Sequence, residues 1–258
     1  MSLGNSKIIS QSFVPAIRAV RRVGGLAVDQ VAWKIDSIFD LRYGTDTTGT
    51  IQLKDLKINS ANSEHGTFYE PTPTRVVHHA LRALQIEYKE YVFIDFGSGK
   101  GRTLLLASHY PFAEIIGLEF AEALHRTAER NIAKYRDRRQ NCTKIRSICI
   151  DAAQYPVPCT NLVAYFYNPF DENVLTQVLD NMPRFDASGY KIFIVYCQAH
   201  HSPLLDCTPL VPYKMILKLP HIWTRRPGWI STLRVYSNRP FESRLGPRQH
   251  AAVRADKP

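Results

Sequence analysis

Short apolar runs recur along the chain and are separated by stretches of helical character. Runs at 92–96, 114–118, 144–150, 161–167 and 192–196 read as strands, and segments such as 75–84 and 103–109 read as the helices between them. From residue 91 to 196 this alternation predicts a parallel sheet covered by helices on both faces, a doubly wound α/β fold. The last part breaks the pattern. Tyr213–Leu219 and Ile230–Tyr236 read as two strands joined by a Pro/Gly/Trp loop, an antiparallel pair at the end of the sheet. Before the sheet, residues 8–43 carry apolar stripes (Val14, Ile17, Val20, then Val31, Ile35, Ile38, Phe39) broken at Gly24-Gly25, which predict amphipathic helices. Residues 44–68, rich in Gly, Thr, Asn and Ser, read as a long loop, which in a compact domain is more often functional than idle.

The chemistry sits where the strands end. Val92-Phe93-Ile94-Asp95-Phe96 runs into Gly97-Ser98-Gly99-Lys100-Gly101-Arg102 and then a helix. Glycine at alternate positions lets the backbone turn sharply and lie close to a ligand, and the helix start points free N–H groups at it. A nucleotide-like cofactor is expected there. The dinucleotide fingerprint G-x-G-x-x-G needs its third glycine at 102, where Arg102 stands, so the spacing argues against nicotinamide or flavin. The second run ends in Glu119, at the spacing where such folds bind ribose hydroxyls. The third ends in Asp151-Ala152, and the fourth in Asn168-Pro169-Phe170. Each acid also has a plain structural reading as a helix N-cap, and each glycine as a tight turn.

The Asp-x-Gly-x-Gly-x-Gly turn resembles motif I of the class I, seven-strand S-adenosylmethionine (SAM) methyltransferases. The resemblance spans roughly residues 66–196. It implies a Rossmann-like seven-strand sheet with a terminal antiparallel pair and SAM as cofactor. Phe68-Tyr69-Glu70-Pro71-Thr72-Pro73-Thr74 is similar to the Tyr-x-x-Thr entry loop of the non-SET protein-lysine methyltransferases. Read without a ligand, Thr72 is an N-cap and Pro73 the first helical residue. Carried over by resemblance, Tyr69 and Thr72 contact the methionine moiety, and Asp95 and Gly97 its amino end, beside Gly99 and Gly101. Glu119 then binds the ribose, Asp151 the adenine, and Asn168 flanks methyl transfer. Phe170, beyond its strand, is the aromatic placed to line the acceptor pocket, with Tyr167; Tyr165 and Phe166 read as core. Two departures limit the carry-over. Arg102 stands where the histone enzymes have glutamine, and Asn-Pro-Phe is not the Asn/Asp-Pro-Pro-Tyr/Phe of amide- and adenine-N6-methylating enzymes. The overall pattern is closest to uncharacterised bacterial members of the fold.

Composition refines this picture. At 258 residues the chain is one enzyme-sized domain, divided here into a helical arm and loop (1–65), a methyltransferase domain (66–239) and a basic tail (240–258). Part of the net charge of +10 comes from the start of the arm, which has no acid before Asp29, and from the tail residues Arg244, Arg248, Arg254 and Lys257. The arm shares its bias with transit peptides. Arg225-Arg226 between Trp223 and Trp229 combines groups that stack bases and hold phosphates, the basis of an RNA-methyltransferase alternative. Five cysteines without a C-x-x-C pair suggest neither a zinc knuckle nor a disulfide framework, and point to a reducing, cytoplasmic setting. Most, Cys197 included, read as small buried hydrophobes; the end of its strand gives Cys197 the lesser alternative of lining the site. His200-His201 reads as an inert loop pair, and no metal site or membrane span is expected. The expected function is methyl transfer from SAM to nitrogen of a protein side chain or small molecule; the alternatives are RNA methylation and SAM binding without catalysis.

Overall fold

In the computed structural model, residues 37–182, 189–207, 213–218 and 232–238 are described. The arm before residue 37, the Trp223–Trp229 loop and the tail from Arg244 lie outside them. Seven strands form one sheet: β1 (Val92–Phe96), β2 (Glu114–Glu119), β3 (Ile145–Cys149), β4 (Leu162–Tyr167), β5 (Ile192–Cys197), β6 (Tyr213–Lys218) and β7 (Thr232–Ser237). Their order is β3-β2-β1-β4-β5-β7-β6. β1 pairs in parallel with β2 on one side and β4 on the other, while β7 runs antiparallel to both β5 and β6. The connections therefore reverse direction between β1 and β4. That switch point opens a crevice at the carboxyl ends of the strands.

Residues alternating along each strand feed two cores, one on each sheet face. Ile94, Phe96, Ile116, Leu118, Ala164, Phe166 and Ile194 pack with Val174, Leu175 and Val178 of helix α5 (Glu172–Asp180). Phe93, Ile115, Val163, Tyr165 and Val195 pack with Val76, Val77, Ala80 and Leu81 of α2 (Thr74–Leu84) and with Leu104–Leu106 of α3 (Arg102–Ala107). Tyr165 and Phe166 are fully buried, as the two-sided cover of a parallel sheet requires. Burial of each such ring contributes about 1.5–3 kcal/mol. Residues 37–43 form a helical segment, α1, whose Phe39 joins the second core. Helices α4 (Glu122–Lys134) and α6 (Ser202–Cys207) complete the cover.

Two local expectations are corrected. Helix α2 begins at Thr74 with Pro73 in the N-cap position and no side-chain cap, so Thr72 is not the cap. Thr72 is instead buried beside the Tyr165 phenol. Helix α3 starts at Arg102 and stops at Ala107, before His109, because Ser108 turns its hydroxyl back onto the Leu105 carbonyl at 2.6 Å.

Candidate functional site

The carboxyl edge of the sheet collects one polar residue or turn from each parallel strand: the glycine turn after β1, Glu119 from β2, Asp151 after β3, Asn168 after β4 and Gln198 after β5. A cavity of about 450 Å³ opens there, within the range of small-molecule sites. Tyr69, Thr72, Asp95, Gly97, Gly99, Glu119 and Asn168 line it, together with Gln52–Lys54, Tyr167 and Gln198. Gly101, Asp151 and Phe170 do not. Asp151 and Phe170 meet at a smaller slot that shares Gly66, Gly97, Phe120 and Pro169 with the main cavity. Placing Phe170 at the acceptor end is therefore corrected: a backbone bridge to Gly66 fixes it, and its ring packs edge-on against Phe166 at 6.1 Å. Tyr167 is the aromatic from this segment that reaches the main cavity.

Gly99 has φ +54, and a Cβ there would stand 2.2 Å from Cε2 of Tyr69. The tyrosine ring lies directly across the turn, held by its hydroxyl on the Thr47 carbonyl at 2.6 Å. Gly97 is crowded in the same way by Pro169. Gly101 has another role. It is the N-cap residue of α3 at φ +85, and a Cβ there would come 3.1 Å from that of Ala128, so it lets α3 and α4 approach. Ser98 lines the cavity, but its Oγ is turned against Gly117 and, among the described residues, is buried without a hydrogen-bond partner.

Both buried acids face this space. Glu119 accepts from the Gly99 and Ala121 amides at 2.8 Å each, yet burial pushes its pKa up to about 7. Asp95 rises to about 8, through burial first and the neighbouring Glu119 second, against a hydrogen bond from Thr103. Unfolded, both titrate near the ordinary carboxylate values of 3.8 and 4.5. The folded protein thus binds more protons than the unfolded chain between about pH 4 and 8. Ligand-free stability should therefore be highest below about pH 4 on this account and fall as pH rises towards 8. A cationic ligand reverses the preference by favouring the ionised acids. Its affinity should rise from pH 6 to 9 with proton release near pH 7, read by calorimetry in buffers of different ionisation heat. Flat affinity and no proton release would remove the acids from the binding surface.

Asp151 is already engaged: Oδ1 accepts from the Ala153 amide at 2.9 Å, and Oδ2 from Ser60 Oγ at 2.5 Å and Asn62 Nδ2 at 2.9 Å. It is an N-cap and a slot residue at once. Asn168 and Gln198 both have left-handed backbones, φ 45 and 49, at the ends of adjacent strands. Such non-glycine conformations cost about 1–3 kcal/mol and cluster at functional sites. Asn168 Oδ1 accepts from the Tyr196 hydroxyl at 3.3 Å, and Gln198 Nε2 donates to that of Tyr167 at 2.7 Å. Gln198 was not singled out by sequence reasoning; its signal is a polar residue directly after the fifth strand. Cys197 and Cys142 are buried, as expected of small hydrophobes, Cys197 with Sγ 3.1 Å from the Tyr165 hydroxyl; Cys149 and Cys159 are exposed. Among the described residues, no helix is long and apolar enough to cross a membrane.

No family model and no curated protein matches the chain. Similar solved structures include the methyltransferase domain of bacterial CtHen1, at 14% identity over 64% of this chain and 97% of that one, TM-score 0.45. The 23S rRNA methyltransferase ErmE shares 8% identity over 69% and 72%, TM-score 0.47. An RNA methyltransferase from Salinibacter ruber, in complex with S-adenosyl-L-homocysteine, shares 15% over 69% and 97%, TM-score 0.42. In its own strand order, glycine turn after β1 and final antiparallel pair, the chain has the doubly wound seven-strand fold of the class I SAM-dependent methyltransferases.

Proposed function

We propose that the chain is a SAM-dependent methyltransferase acting on nitrogen of a protein side chain or small molecule. The observation that carries this reading is the single cavity in which a glycine turn and two buried carboxyl groups converge. Those groups suit a ligand with cationic centres and vicinal hydroxyls. Bound there, SAM supplies a methyl group already activated on a positively charged sulfur. The protein has little acid–base work left: it must hold the acceptor nitrogen in line and keep water out.

In this reading Tyr69 and Thr72 border the methionine end, Asp95 and Gly97 receive its ammonium, Glu119 accepts from the ribose hydroxyls and Asp151 serves the adenine at the smaller slot, with Phe170 as its apolar wall. Asn168, Tyr167 and Gln198 face the acceptor. An ammonium acceptor, with a reference pKa of about 10.4, must lose its proton before attack, and desolvation against Tyr167 lowers that barrier. Glu119→Ala should weaken SAM binding by about 2–3 kcal/mol, since charge-assisted hydrogen bonds are lost. Unchanged affinity in a folded variant removes Glu119 from the ribose site.

The reading is tested by incubating the protein with methyl-tritiated SAM and a cell extract, then counting protein, RNA and small-molecule fractions separately. Label in protein or small molecules is expected. Label in RNA, falling steeply with salt, would favour the RNA alternative that the +10 charge suggests. SAM binding without any transfer would leave a non-catalytic SAM-binding protein. The free thiols at Cys142, Cys149, Cys159 and Cys197 support a cytoplasmic setting for this activity.

A further inference from the structure

Arg102, immediately after the glycine turn, is 1% exposed; its Nη2 lies 3.7 Å from Asp40 Oδ2, and two hydroxyls bridge the same pair. Thr47 Oγ1 accepts from Arg102 Nε at 2.7 Å and donates to Asp40 Oδ1 at 2.7 Å. Thr48 Oγ1 likewise accepts from Arg102 Nη2 at 3.1 Å and donates to Asp40 Oδ2. Asp40 also receives the backbone amides of Thr47 and Thr48 at 2.9 and 2.7 Å and the Thr45 hydroxyl at 2.7 Å. Burial alone raises its pKa, but the threonine hydrogen bonds outweigh that and hold it below the ordinary value, so the carboxylate is charged.

The same short segment holds the turn at two more points. Lys100 Nζ donates to Asp46 Oδ1 at 2.7 Å and to the Thr48 carbonyl at 3.1 Å. The Thr47 carbonyl receives the Tyr69 hydroxyl, and the Tyr69 ring covers Gly99. Asp40, Thr47 and Thr48 themselves do not line the cavity. We propose that Asp40 is a positioning residue for the cofactor site, acting on Arg102 directly and through Thr47 and Thr48, and on Tyr69 through Thr47, to set the Gly99–Gly101 turn. Residues 40–48 are then a latch belonging to the site rather than an appended arm. The proposal rests on the cofactor reading above for its ligand, though not for its geometry.

Asp40→Asn preserves shape but presents an amide N–H₂ to a cluster of donors. Thr48→Val removes one bridge and leaves the carboxylate intact, while Thr48→Ser restores the hydroxyl. Calorimetry with SAM, and amide hydrogen exchange over residues 97–103, are measured on the full chain at a temperature where circular dichroism shows every variant folded. Asp40→Asn should raise the SAM Kd at least tenfold and speed exchange at Gly99 and Gly101; Thr48→Val should do the same to a smaller extent, and Thr48→Ser should return both to wild type. Wild-type exchange in the turn of Asp40→Asn and Thr48→Val overturns the proposal whatever the Kd does. If the wild-type chain itself gives no SAM binding, the cofactor reading fails, and the exchange data still decide whether Asp40 sets the turn.

Discussion

Gly99→Val should abolish measurable SAM binding. The substitution carries two costs at one position. A β-branched residue at φ +54 is strained by about 1–3 kcal/mol, and overpacking against Tyr69, whose ring would stand 2.2 Å from the new Cβ, costs about 1–3 kcal/mol more. The ring can escape only by giving up its hydrogen bond to Thr47 and its place beneath the Lys100 ammonium, 5.7 Å from its centroid. Among the protein's own groups, the Tyr69 ring is the one closest to that Cβ. A second comparison separates the two reasons. In a Tyr69→Ala background the clash disappears and the backbone strain remains, so Gly99→Val should cost less stability than in wild type while still removing whatever binding Tyr69→Ala retains, if the cofactor also needs that space. Gly101→Ala is the control: its Cβ would press on Ala128, so stability should fall while SAM binding persists. Calorimetric binding by folded Gly99→Val close to wild type would refute both arguments.

How much of this was legible in the sequence follows from which interactions are local. The strands from β1 to β5 and the polar residues at their ends were readable because strand, turn and helix start are set by neighbouring residues. Gly97 and Gly99 were readable as positions without room for a side chain, but not what fills the room, since Tyr69 and Pro169 arrive from distant segments. The loop at 44–68 was expected to matter. Its means of doing so, the Asp40–threonine–Arg102 network and the pairing of Thr67 with the Asn168 and Pro169 carbonyls, joins residues far apart in the chain and has no periodicity to announce it. Phe170 was misplaced for the same reason. Its position after β4 is a local fact, whereas its direction depends on the bridge to Gly66.

Asn168 and Asp151 should fail differently when altered. Asn168 lines the cavity at the end of β4, with its backbone carbonyl accepting from Thr67 Oγ1 at 2.8 Å and its side-chain oxygen facing the Tyr196 hydroxyl. A carbonyl has a second lone pair, so either oxygen can still take an N–H of the acceptor and aim the nitrogen at the methyl group. Loss of that alignment should lower turnover by roughly 10²-fold or more, with SAM affinity retained. Because φ is 45 at this position, alanine adds backbone strain of its own, whereas glycine removes the side chain without it. Asn168→Gly is therefore the cleaner variant, and agreement between it and Asn168→Ala would assign the loss to the side chain. Asp151→Ala should instead weaken SAM binding, through lost adenine contact and through release of Ser60 and Asn62 from the slot, and turnover at saturating SAM should change much less. Normal turnover by both Asn168 variants, with the acceptor found in the labelling experiment, would remove the Asn168 side chain from acceptor positioning and leave it to the residue-168 backbone carbonyl or to Tyr167 and Gln198.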